Sequence, residues 1–555
     1  MLLAHRIRRA VRHALLASAC VLASTLSLVA QEQHEHAMLS GSAENYGQVH
    51  FPISCSAQAQ QQFEKALAML HSFHFPATGR AFTAIATAEP DCAMAWWGIA
   101  ISQRLNPLVQ PFPPDALRRG WEAIQKARAA PQRTAREHDW VEAMAVFFQD
   151  YDHVAQRDRT LAYEAAMERL AAKYPDDDEA EIFYALAINE AVDLSDKTYA
   201  RQLKAGAILE RLAARLPDHP GVTHYLIHTY DYGPLAERGL AAARRYAAIA
   251  PASGHALHMP SHIFSTLGLW KEAIPADLAA IASYTEYFGK MDPNVAGKPT
   301  LIPRIYHSVD FLTNAYMQLA QDRKAAELLE PYRSVTEPPP LIYAYHTGFA
   351  AAFVRYAFDR SAWAEAAVLP VPKTPYPQAE AISWFGRAIG AARSGDPAGA
   401  KVDLQRIQAL GSKLAEAGDV YWTGQVKIEE TAAAAWIALA EEQRSEAVRL
   451  MREAADLEDR TEKHIAMENR LSPMREMLGE MLLATDQPAD ALREFEASLK
   501  VAPNRYRSIA GAAKAAETLD RQAARLWYER LLQLTADADT ERPEMVAARA
   551  FLSAN

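Results

Sequence analysis

Two short runs carry the chemistry in this 555-residue sequence: His224-Tyr225-Leu226-Ile227-His228 and His258-Met259-Pro260-Ser261-His262. Each has histidine at i and i+4, so on a helix both imidazoles project from one face. His258 follows His224, and His262 follows His228, by the same 34 residues, so both pairs hold equivalent positions in consecutive repeats. Aligning Gly268-Leu269-Trp270-Lys271-Glu272-Ala273 with Ala320-Gln321-Asp322-Arg323-Lys324-Ala325 extends the register to a third unit, a repeat lengthened by an insertion around Gly289. His255, His258 and His262 then map onto His307, Asp310 and Asn314. Of the nine equivalent positions, starting from Gly221, six are histidine, although the chain has only 18 histidines in all. Imidazole nitrogen is a common metal ligand, and pairs on neighbouring helices can converge on one ion or two. The candidate ligands are His224, His228, His258, His262, His307 and Asp310. His255 and Asn314 are further groove positions, because Pro260 starts a helix and leaves His255 in its approach. Histidine and carboxylate without thiolate suit a divalent transition metal, zinc, copper or iron, without selecting among them.

The elements that must position these residues are helices. From Ser56 onward, Ala- and Leu-rich stretches of helical period alternate with short breaks, and strand-like runs are nearly absent, so the fold is predicted to be all-α. Pro90-Asp91, Pro175-Asp176, Pro217-Asp218 and Pro503-Asn504 mark breaks where Pro stops one helix and Asp or Asn can cap the next. The unit Leu478-Gly479, Ala491, Phe495, Pro503 resembles the tetratricopeptide repeat, with partial copies at Ala66, Phe82 and Pro90, and at Phe264, Ala273 and Ala280. Such units must stack, giving a tetratricopeptide-like α-solenoid over 51–555. In the repeat that these units resemble, the histidine positions line the concave side, here a groove at about 220–320. Pro- and Gly-rich stretches at 108–114, 289–303 and 337–340 are expected to be loops.

The same register puts Arg355 and Arg387 on the groove, where they could receive a carboxylate or phosphate. His71 and His74 are expected to be structural, Trp96 and Trp97 to be repeat core, and the charged run 462–468 to be a solvated face. His34 and His36 fall in a flexible mature N-terminus, 31–50.

Arg6, Arg8, Arg9 and Arg12 precede an uncharged apolar stretch from Ala14 to Ala30, which reads as a signal peptide over 1–30, a lipoprotein signal at Cys20 being the lesser alternative. The mature chain is then expected to be periplasmic or secreted, with no membrane span. Cys55 and Cys92 would remain in an oxidising compartment, where a disulfide is the economical expectation and two buried thiols the alternative. With 58 basic and 68 acidic residues the net charge is −10, which offers no basic footprint for nucleic acid. G-x-S-x-G, P-loop, H-E-x-x-H, C-x-x-C and dinucleotide motifs are absent, so hydrolase triads and nucleotide or flavin cofactors lack support.

The chain resembles a family of secreted bacterial tetratricopeptide-repeat proteins with an H-x-x-H-M-P-S-H motif. The resemblance rests on 70–74, 91–98, 196–200, His224 through Asp231, His255 through Phe264, and 503–506. It implies a solenoid and export and carries no established reaction. It also marks Asp231, one turn beyond His228, as a further groove carboxylate. Two functions stay open: an exported protein with a metal-binding, metal-dependent groove acting on a small molecule, or a non-catalytic scaffold that binds a protein or peptide partner in the cell envelope.

Overall fold

A computed structural model of the chain describes residues 45–554, with the exception of 132, 340 and 466. The expected signal peptide and His34 and His36 lie outside the described residues. Helix follows helix, and no strand occurs among the described residues. In order, Ala57–His71 pairs with Phe75–Ala88, Ala93–Ser102 with Pro114–Ala129, Ala135–Phe148 with Gln156–Lys173, and Asp178–Glu190 with Ala200–Arg215. Pro220–Tyr230 pairs with Ala236–Ile249, the short helices Gly254–His258 and Pro260–Thr266 with Trp270–Met291, and Ile305–Gln318 with Asp322–Leu329. Tyr343–Phe358, Pro377–Arg393, Val420–Ala440, Met474–Ala484 and Tyr506–Ala516 open the later units, and Pro543–Ser553 closes the chain. Each helix packs chiefly on its neighbours in sequence, which is the contact pattern of an α-solenoid. None is long and apolar enough to cross a membrane.

Local sequence explains the joints. Proline occupies the first helical turn at Pro220, Pro260, Pro377, Pro397, Pro488 and Pro543, where its missing N–H is no loss. Thr134 and Glu137 form a reciprocal capping box at Ala135–Phe148. In the unit that most resembles a tetratricopeptide repeat, the Phe495 ring lies between Gly479 and Gly511, and a Cβ on either would fall within 2.8 Å of it. The architecture is therefore an all-α, tetratricopeptide-like solenoid.

The solenoid curls tightly enough for both ends to touch its middle. The Gln48 N–H donates to the Asp218 carbonyl, Trp270 Nε1 donates to the Asn504 carbonyl, and Arg542 pairs with Asp322. Cys55 and Cys92 are disulfide-bonded, tying the entry segment to the cap of Ala93–Ser102.

The concave side is filled rather than open. Between Arg444–Glu458 and Met474–Ala484, the described residues of 459–473 cross it as irregular chain, and Glu462, Lys463 and Glu468 are buried. The expectation of a solvated face at 462–468 is thus corrected: Glu462, Lys463 and Glu468 are buried, and each has a counter-charge. Lys463 pairs with Asp231, Glu468 with Arg355, and Glu462 with Lys197.

Candidate metal centre

Pro220–Tyr230 presents His224 and His228 to the concave side. The next unit presents His255, His258 and His262 from a helical path that bends at Pro260 but stays α-helical through Met259, where φ is −53° and ψ −34°. His307 comes from the first turn of Ile305–Gln318. These six form two triads, His224/His228/His255 and His258/His262/His307. In each, one ligand nitrogen per residue lies within 4.8 Å of the others. Ring centroids of His228 and His262 are 5.9 Å apart and those of His255 and His258 6.3 Å, so the triads are contiguous.

The outer ring nitrogens are held by fixed partners. His224 Nδ1 donates to the His71 carbonyl at 2.5 Å, His258 Nδ1 meets Asp277 Oδ1 at 2.6 Å, and His262 Nδ1 meets Asp231 Oδ2 at 2.9 Å. Such partners orient metal-ligating imidazoles and raise their basicity. They leave the Nε2 atoms facing inward, with His224 Nε2 3.1 Å from His255 Nε2 and His258 Nε2 3.1 Å from His262 Nε2. A proton between two such nitrogens is held by one and accepted by the other, and a cation that displaces it takes both lone pairs. The N···N separation of a tetrahedral site with bonds of 2.0–2.1 Å is about 3.3 Å, close to both. His228 is buried and neither of its ring nitrogens has a hydrogen-bond partner among the described residues. Leaving such a group unsatisfied costs roughly 1–3 kcal/mol.

Burial keeps the imidazoles neutral and therefore able to ligate. It lowers His224 and His258 to about 3, and His228, His255, His262 and His307 well below their ordinary value. Burial raises Asp231 to about 6 against the pull of Lys463, and its carboxyl group contacts His262, Lys463 and Thr266.

A third group, His71/Glu179/His219, has metal-ligand spacing but is fully hydrogen-bonded. Glu179 bridges the two imidazole Nε2 atoms at 3.0 and 2.9 Å, His71 Nδ1 meets Tyr225 Oη, and His219 Nδ1 accepts from the Val222 N–H. It buttresses the centre, since the His71 carbonyl holds His224. This explains why the first unit has Gly221 where the next two have His255 and His307: a Cβ at Gly221 would lie 2.4 Å from His71 Nδ1. Gly221→Ala is expected to cost about 1–3 kcal/mol by overpacking and to weaken metal binding by moving His71 off His224. Urea unfolding paired with a metal titration checks both.

Other sequence-predicted residues sit elsewhere. Asp310 is not a member of either triad; its Oδ1 accepts from Arg355 Nε at 2.8 Å, both side chains being buried. Asn314 accepts from Gln318 and is likewise outside the triads. Arg355 does not wait for an anionic ligand. It is spent on Asp310, Glu468 and the carbonyls of Asn469, Arg470 and Leu471. Arg387 is paired with Asp403 and the Leu369 carbonyl. Asp231 is present at the site, as the anchor of His262. Sequence reasoning missed Asp277 and Lys463. Asp277 had a signal, being an acid one turn after Ala273 and three residues before Ala280, on the packed face of its helix.

No protein-family model and no curated protein matches the chain. Among solved structures it is similar to the APC/C hetero-tetramer Cut9-Hcn1, at 10% identity and a TM-score of 0.25 over 90% of this chain and 96% of that one. It is also similar to the human IFIT1 dimer with PPP-AAAA, at 11% identity and a TM-score of 0.36 over 79% and 90%.

Proposed function

We propose that the chain is an exported metalloprotein that holds two adjacent divalent transition metals, one on each histidine triad, at the base of a small-molecule pocket. The observation that carries this reading is His228, a buried imidazole with two unpartnered nitrogens set between two 3.1 Å pairs of inward-facing Nε2 atoms. The Cys55–Cys92 disulfide and the Arg-rich, apolar N-terminal sequence support export.

Three neutral imidazoles per ion suit zinc, copper or iron. Five of the six histidines also line a pocket of about 570 Å³ open to solvent, which leaves a coordination position on the pocket side. A metal with such a position activates bound water or oxygen. The scaffold alternative needs an open concave face for a partner helix, and residues 459–473 occupy that face.

Chelated protein titrated with zinc, copper or iron is expected to gain about 4 kcal/mol of stability per occupied triad, about 8 kcal/mol with both filled, at a metal concentration a thousandfold above the dissociation constants. Denaturant unfolding reads this. If no metal moves the midpoint, or His228→Ala responds like the wild type, the proposal fails.

A further inference from the structure

The pocket over the histidines holds one group that the metal reading does not use. Arg304, at the start of Ile305–Gln318 and three residues before His307, lines it together with Phe73, Phe75, Tyr284 and Tyr345. The guanidinium donates to Tyr345 Oη at 3.2 Å and enters no ion pair among the described residues. Arg355 and Arg387, which do not line this pocket, are neutralised by Asp310, Glu468 and Asp403. Arg80, which also enters no ion pair among the described residues, donates to Tyr287 beside His74. Its charge and that of Arg304 both act on His74, adding to the burial that lowers it to about 3. Arg304 thus brings a guanidinium without an ion-pair partner among the described residues to the pocket, in a chain whose net charge is −10.

We propose that this pocket takes a small aromatic carboxylate, with its ring against Phe73, Phe75 and Tyr284 and its carboxylate on Arg304. A planar guanidinium recognises a carboxylate through paired N–H donors, which a single flexible ammonium cannot reproduce. Aromatic walls with a few convergent polar groups are the usual composition of a small-molecule site, and here Arg304 is the one cationic side chain among the lining residues. That the bound acid is a substrate rests on the metal proposal, because its ring would lie over the histidine Nε2 atoms; the carboxylate contact itself does not need the metal.

The probe is benzoate, titrated calorimetrically into the full mature chain, both chelated and zinc-loaded, with benzamide as the uncharged control. Sub-millimolar benzoate binding to both forms is expected, at least tenfold weaker in Arg304→Met, intermediate in Arg304→Lys, and at least tenfold weaker for benzamide. Far-ultraviolet dichroism confirms that the variants fold. Equal binding by wild type and Arg304→Met, or no binding by either form, overturns the inference. Binding only to the zinc-loaded form, indifferent to Arg304, also overturns it and assigns the anion to the metal. Arg304-dependent binding in a protein that takes up no metal leaves this inference standing and removes the metal proposal.

Discussion

Asp231→Asn is expected to weaken metal binding at the His258/His262/His307 triad by roughly 10- to 100-fold, the usual cost of losing the carboxylate behind a ligating imidazole. The substituted amide can still accept from His262 Nδ1, but it cannot supply the negative charge that raises imidazole basicity. It also leaves Lys463, 2.6 Å away and nearly buried, without its counter-ion. The His224/His228/His255 triad is anchored on the His71 carbonyl and is expected to keep its affinity. A competition titration against a chromophoric chelator should therefore become biphasic, with one site unchanged and one weakened. Lys463→Met with Asp231→Asn removes both charges, so it separates the loss of ligand basicity from the cost of a stranded ammonium. Two sites of unaltered affinity in Asp231→Asn would show that Asp231 does not act on the metal.

Arg355→Ala is the variant expected to damage the fold most, by about 3–5 kcal/mol, because removing one member of a buried ion pair strands the other. Here two carboxylates, Asp310 and Glu468, lose their partner, and the carbonyls of Asn469, Arg470 and Leu471 lose their donors. Those contacts hold residues 459–473 on the concave side. The loss is expected to appear both as a lower urea midpoint and as new proteolytic cleavage between 459 and 473. Because the same segment carries Lys463 to Asp231, metal affinity at the second triad should fall with it. An unchanged cleavage pattern would show that the segment is held by something other than Arg355.

How far this site could be read from sequence depends on what its parts are made of. The histidines recur at a repeat period, and the i, i+4 spacing already fixes which side chains share a helix face, so both pairs and the alignment of His255 with His307 were legible. The same register also lined up Asp310 and Arg355, and there it misled. Spacing puts residues of opposite charge on one surface but does not say that they will neutralise each other, which their burial makes them do. Residues 459–473 were illegible for a related reason. Glu462, Lys463 and Glu468 look like a solvated run because each counter-charge, Lys197, Asp231 and Arg355, is more than a hundred residues away in sequence. Asp277 was missed because it lies on the second helix of its unit, whereas the register followed the first. The solenoid itself was legible from helical periodicity and the Pro breaks, but its tight curl was not, since Trp270 with Asn504 and Asp322 with Arg542 are long-range pairings.

The central claim is that the two triads each hold an ion. Metal content per chain, measured by inductively coupled plasma mass spectrometry on exported protein purified without a tag or chelator, tests it most directly. Two equivalents of zinc, copper or iron are expected in the wild type, one in His224→Ala/His255→Ala, and none in His228→Ala/His262→Ala/His258→Ala. A wild-type chain that stays metal-free after incubation with each of the three ions, or a triple variant that retains the wild-type content, would contradict it.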